Sequence, residues 1–134
     1  MIQRIQSIWL LLVVASSVLT FFLPFAYAAE SNNLVELTAQ SYWYTIVLTV
    51  LAGLGGLIAI FLYHDRKLQI RVCSYTLIVS LGLLATYIVK TLDYPKMGPS
   101  LFCVLVGAIP ILLVMSIRAI RNDMKLVEES DRLR

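Results

Sequence analysis

The sequence predicts an all-α membrane protein, a four-transmembrane-helix up-down bundle with a cytoplasmic C-terminal helical extension, forming one domain over residues 1–134. Three observations carry this. The chain is 60% apolar and only 14% charged, against roughly 45–50% and about 25% in soluble domains. A small soluble domain leaves too much surface in water to hide that much apolar material. The charges are also clustered, so four stretches, 5–29, 37–63, 72–89 and 97–117, contain no Asp, Glu, Lys or Arg. Finally, the cations between and beyond these stretches fall mostly on one side of an alternating topology.

Each bare stretch is long enough, the third narrowly, to thread a hydrocarbon core of about 30 Å, which takes roughly 20 helical residues. Helix is the conformation that satisfies the backbone in lipid, and none of the four alternates polar and apolar residues as a barrel strand does. With both termini on one side, that side collects nine of the eleven Lys and Arg residues. Short loops follow the positive-inside rule, which places both termini in the cytoplasm. Arg4, Arg66, Lys67, Arg71, Arg118 and Arg121 then lie where they meet anionic lipid headgroups, each contributing about 1 kcal/mol.

Span one covers about 7–28. Ile2, Ile5 and Trp9 share a helical face, Ser16 and Thr20 are spaced to hydrogen-bond backbone or a neighbouring helix, and Pro24 bends or ends the helix. Ala26-Tyr27-Ala28 also fits a signal-peptidase site, which would leave three spans. The 25 uncharged residues of 5–29 exceed a signal core of about 7–15, so retention is expected. Ser31, Asn32 and Asn33 suit a loop across 29–40.

Span two, about 41–63, carries the clearest pattern. Tyr42, Thr45, Thr49, Ala52, Gly56, Ala59 and Tyr63 recur at alternating steps of three and four. They draw a seam of small and weakly polar residues, and small side chains let helices approach closely in lipid. Thr45, Thr49, Ala52, Gly56 and Ala59 are therefore the candidate helix-packing residues, with Gly53 and Gly55 widening the patch. The alternative is a hinge or pore-lining face.

Span three, about 72–89, carries Thr76, Ser80, Gly82 and Thr86, with Lys90 able to snorkel at its outer end. Asp93, Tyr94, Pro95, Gly98 and Pro99 make a tight turn. Span four, about 99–119, holds Ser100, Cys103, Gly107 and Pro110 at steps of three and four, a second candidate seam, with a kink expected at Pro110. Beyond it, Ile117, Ile120, Met124 and Val127 form an apolar stripe on an otherwise charged cytoplasmic helix, about 118–134. Ile120, Met124 and Val127 are the candidate interaction residues of this tail; a partner protein, a second copy or the membrane surface could cover them, and a frayed helix is the alternative. Trp9, Tyr63 and Tyr75 mark the inner interface, and Tyr27, Tyr42, Trp43, Tyr44, Tyr87 and Tyr94 the outer one.

Several chemistries are disfavoured. No ionisable Asp, Glu, Lys, Arg or His falls within a span, which counts against proton-coupled transport. His64 is the one histidine, too few ligands for a zinc site, and no Ser-His-Asp set lies at one depth. Cys73 and Cys103 differ in depth by roughly 15–20 Å on this topology, beyond disulfide reach. No catalytic residue, cofactor, metal or nucleic-acid module is expected.

The ends of the chain carry a resemblance. Residues 1–12, Met-Ile-Gln-Arg-Ile-Gln-Ser-Ile-Trp-Leu-Leu-Leu, with 118–127, Arg-Ala-Ile-Arg-Asn-Asp-Met-Lys-Leu-Val, and 130–134, Ser-Asp-Arg-Leu-Arg, resemble an uncharacterised Bacteroidota membrane-protein family, domain of unknown function 4293. The chain departs from that pattern at Asn122 and Met124, where a charged residue is commoner, and in its short first outer loop. The resemblance implies a four-span inner-membrane protein that keeps its N-terminus, and it implies no activity.

The expected function is that of a small non-enzymatic interaction or scaffold subunit, contacting membrane lipids and a membrane-protein partner or further copies of itself. An oligomeric neutral channel or lipid-handling protein is the alternative, with Thr45, Thr49 and Gly56 lining the path.

Overall fold

The computed structural model describes residues 2–30, 33–93 and 96–134. Four helices dominate: α1 (Ile2–Phe22), α2 (Trp43–Phe61), α3 (Arg66–Asp93) and α4 (Cys103–Arg132). All four are long and apolar enough to cross a membrane. Each packs on its neighbours in sequence, and α1 closes the ring against α4, giving an up-and-down bundle.

The structure differs from the sequence expectation at the end opposite the termini. Helix α1 stops at Phe22, before Pro24, and residues expected in span one or a loop instead form strands. Strands β1 (Ala26–Glu30), β2 (Asn33–Leu37) and β3 (Met97–Pro99) make an antiparallel sheet in the order β2-β1-β3. Ala26 pairs with Leu37 on one side and with Pro99 on the other. Phe25 and Ser100 extend the pairing, Phe25 N–H donating to Leu37 O at 2.7 Å and Ser100 N–H to Phe25 O at 3.0 Å. Pro99 is tolerated because β3 is an edge strand.

Alternate residues of β1 face the bundle. Ala26 and Ala28 are buried while Ala29 is exposed, the two-residue period of a half-buried strand. Ala has little β-propensity, but its small side chain lets the sheet sit close over the helix ends. The Phe25 ring stacks on Tyr87, with centroids 4.2 Å apart, and packs with Leu83 and Val106. Tyr87, expected as an interfacial anchor, is therefore buried beneath this cap. Ser31, Asn32, Tyr94, Pro95 and the Arg4 side chain lie outside the described residues.

The other boundaries shift modestly. Helix α2 passes through a short 3-10 turn, Leu62–His64, into α3, which begins six residues earlier than the uncharged stretch. Span four and the tail are one continuous helix running through Pro110. The core faces of α3 and α4 follow alternating steps of three and four: Gln69, Cys73, Thr76, Ser80, Leu83 and Tyr87 on α3, and Val106, Ile109, Leu113, Ser116, Ile120 and Asp123 on α4. The second expected seam is thus displaced. Cys103, Gly107 and Pro110 are only partly buried, because the core-facing phase of α4 runs through Val106 and Ile109. Cys73 and Cys103 are both free thiols.

Candidate interaction surface at the basic end

One end of the bundle carries the sheet. The other, the basic end, gathers the chain termini and the α2–α3 turn. On α2 the five residues Thr45, Thr49, Ala52, Gly56 and Ala59 are all buried, and they are used within the chain. A Cβ placed on Gly56 would come 3.0 Å from Val14 Cγ2 of α1. One placed on the adjoining Gly55 would overlap the Thr76 hydroxyl of α3. These two glycines set the close approach of α2 to both neighbours.

The threonine hydroxyls turn back onto backbone. Thr45 Oγ1 donates toward Ala39 O and Tyr42 O, both at 2.6 Å, and Thr49 Oγ1 to Thr45 O at 2.7 Å. Thr45 and Thr49 are 1% and 3% exposed. In this conformation the face expected either to pack or to line a path is closed.

At the basic end, polar side chains tie the helices together in pairs. Gln6 of α1 donates through Nε2 to Ala119 O of α4 at 3.3 Å. Gln69 of α3 donates through Nε2 to Ala59 O of α2 at 2.9 Å. Arg66 of α3 pairs with Asp123 of α4, 3.1 Å between Nη1 and Oδ2, with side chains 24% and 9% exposed. The two amide hydrogen bonds are each worth about 0.6 kcal/mol, the average for such links between helices in lipid. They hold register where purely apolar faces could slide. Sequence reasoning missed all three. The available signal was helical phase: Asp123 stands three residues after Ile120 on the same face as Ser116, Leu113 and Ile109.

The expected headgroup cations therefore divide. Arg66 is only partly exposed and pairs with Asp123. Lys67, Arg71, Arg118 and Arg121 are exposed.

The tail stripe divides in the same way. Ile120 is fully buried in the core cluster with Leu10, Val13 and Leu113, and Met124 packs against that cluster. Val127 is 44% exposed and Leu126 50%. The interaction stripe is thus covered by the bundle itself at Ile120 and open from Val127 onward. Beside it lies a cleft of about 430 Å³ lined by His64, Arg66, Lys67, Met124, Val127 and Asp131, among others.

Helix α4 carries no charge from Cys103 to Ile117 and continues from Arg118 to Arg132 for about 21 Å more.

Four helices long and apolar enough to cross a membrane, packed around an apolar core with charge gathered toward their ends, fit the class of multi-pass helical-bundle membrane proteins. The chain belongs to the family described as domain of unknown function (DUF4293), whose model matches residues 2–133. No curated protein and no solved structure matches the chain.

Proposed function

We propose that this is a small non-enzymatic interaction or scaffold subunit of the bacterial inner membrane, with both termini in the cytoplasm. The observation that carries the proposal is the projecting end of α4. It leaves Leu126 and Val127 exposed beside a charged cleft at the α2–α3 turn, while the small-residue seam is consumed within the bundle. The partner surface is therefore the cytoplasmic tail, not the α2 seam.

The positive-inside bias supports the orientation. The cleft mixes His64, Arg66 and Lys67 with Glu128 and Asp131, which suits a partner helix with its own mixed charge. A photoreactive residue at Val127, exposed where Met124 is partly covered, tests this in native membranes. A single defined adduct, to a membrane protein or to a second copy, that is lost in Leu126→Asp/Val127→Asp supports the role. A chain that remains a lone monomer and is indifferent to loss of 124–134 contradicts it.

A further inference from the structure

The groove between α3 and α4 has a shape and a charge that the scaffold role does not use. It holds about 520 Å³ and is lined by Leu77, Leu81, Gly107, Pro110, Val114 and Arg118, among others. Its walls are apolar, and its single cation stands at one end. We propose that this groove binds one anionic phospholipid from the leaflet at the basic end, with an acyl chain along the α4 face and the phosphate on Arg118. The inference rests on placement of the bundle in a bilayer and not on the scaffold role.

Three features fit that occupant. The first is length. From Gly107 to Arg118 the helix rises about 16 Å, close to one leaflet of a hydrocarbon core about 30 Å thick. An acyl chain entering beside Arg118 ends where Gly107 opens the wall. The second is the notch itself, since a Cβ on Gly107 meets no neighbouring group within 4 Å. Pro110 lies in the same wall, and its ring removes one backbone donor from the helix.

The third feature is charge. Arg118 is exposed, and the ion pairs among the described residues engage Arg66 and Lys90 instead. A guanidinium presents a planar fork of donors suited to phosphate, and at this depth the abundant anion is a headgroup. The other apolar grooves lack this pairing. The α1–α2 groove, about 280 Å³, has no charged residue in its lining. The groove at Tyr44 and Lys90, about 260 Å³, has a cation already held by Asp93 at 3.6 Å and over the Tyr42 ring at 4.9 Å. A second copy seated on the α3–α4 groove would have to cover Arg118 or supply it with an acid.

The test is native mass spectrometry of the full chain in mild detergent with equal amounts of phosphatidylglycerol and phosphatidylcholine. The wild type should retain one phosphatidylglycerol in preference to phosphatidylcholine. Arg118→Gln should lower phosphatidylglycerol retention about fivefold, the factor for one cation at an anionic surface, and leave phosphatidylcholine unchanged. Arg121→Gln, outside the groove lining, should behave as wild type. Gly107→Leu, whose Cβ meets no neighbouring group within 4 Å, fills the notch and should reduce retention of both lipids, with unchanged thermal unfolding showing that the fold is intact. Equal retention of the two lipids by the wild type would overturn the proposal. So would identical behaviour of the two arginine variants, or a lipid-free dimer that Gly107→Leu dissociates.

Discussion

Two glycines two residues apart on α2 should respond oppositely to the same added methyl group. At Gly55 the new Cβ would overlap Thr76 Oγ1 and stand 2.9 Å from Thr76 Cγ2. Thr76 cannot easily turn away, because its hydroxyl donates to Val72 O at 2.8 Å and β-branched side chains are stiff in helices. Overpacking of this kind costs about 1–3 kcal/mol, offset by about 1 kcal/mol of helix propensity; with an overlap this close the cost falls toward the upper end, for a net loss approaching about 2 kcal/mol. At Gly53 the nearest atom would be Ser17 Cβ at 3.5 Å, an ordinary contact, so Gly53→Ala should be neutral or stabilising by up to about 1 kcal/mol. Thr76→Ala removes the two closest atoms and should recover most of the loss in the double variant. Reversible unfolding in mixed micelles, titrated with a denaturing detergent, reads the difference. If Gly55→Ala unfolds with Gly53→Ala, or if Thr76→Ala gives no recovery, α2 and α3 do not approach as described.

Further outcomes follow from the two ends of the bundle. Arg66→Ala should destabilise more than Asp123→Asn, because it leaves the nearly buried carboxylate without its partner, a loss of about 1–3 kcal/mol; the neutralised acid instead leaves an arginine that reaches solvent. Comparable unfolding midpoints for the two variants would argue against the pair. Phe25→Leu keeps apolar bulk but loses the stack on Tyr87 and should cost about 1 kcal/mol, read in the same titration. Removal of residues 1–28 takes away α1 and most of the central strand together, so the remainder should fail to give a monodisperse peak in size-exclusion chromatography. Removal of 126–134, which keeps Met124 on the core cluster, should leave that peak and the unfolding midpoint intact while releasing the partner in a pull-down from mild detergent.

The four helices and the α2 seam were legible because lipid imposes simple rules: no charge within a span, and small residues where helices touch. Thr45 through Ala59 repeat at the helical period, and each is buried. The sheet was not legible. Its central strand, Ala-Tyr-Ala-Ala-Glu, is made largely of weak strand formers, and its third strand, Met-Gly-Pro, comes from the far connection and carries two breakers. Tertiary placement over the helix ends forms the strands, and local propensity does not disclose it. Asp123 was hidden for a different reason. In a tail with acids and bases interspersed it looks like one more solvated charge, and only the phase of the α4 core face carries it inward to Arg66. Ser100 is buried, but Cys103, Gly107 and Pro110 fall off the phase of the buried Val106 and Ile109, and Gly107 and Pro110 border the α3–α4 groove instead of filling a seam.

The account depends most on four crossings with the basic end in the cytoplasm. Single cysteines introduced at Asn33 and Ser130, in a chain with Cys73 and Cys103 replaced by serine, can be treated with a membrane-impermeant maleimide on intact spheroplasts and after lysis. The expected result is that Asn33→Cys reacts on intact cells and Ser130→Cys reacts only after lysis. Labelling of Ser130→Cys on intact cells, or of both positions from the same side, would contradict it.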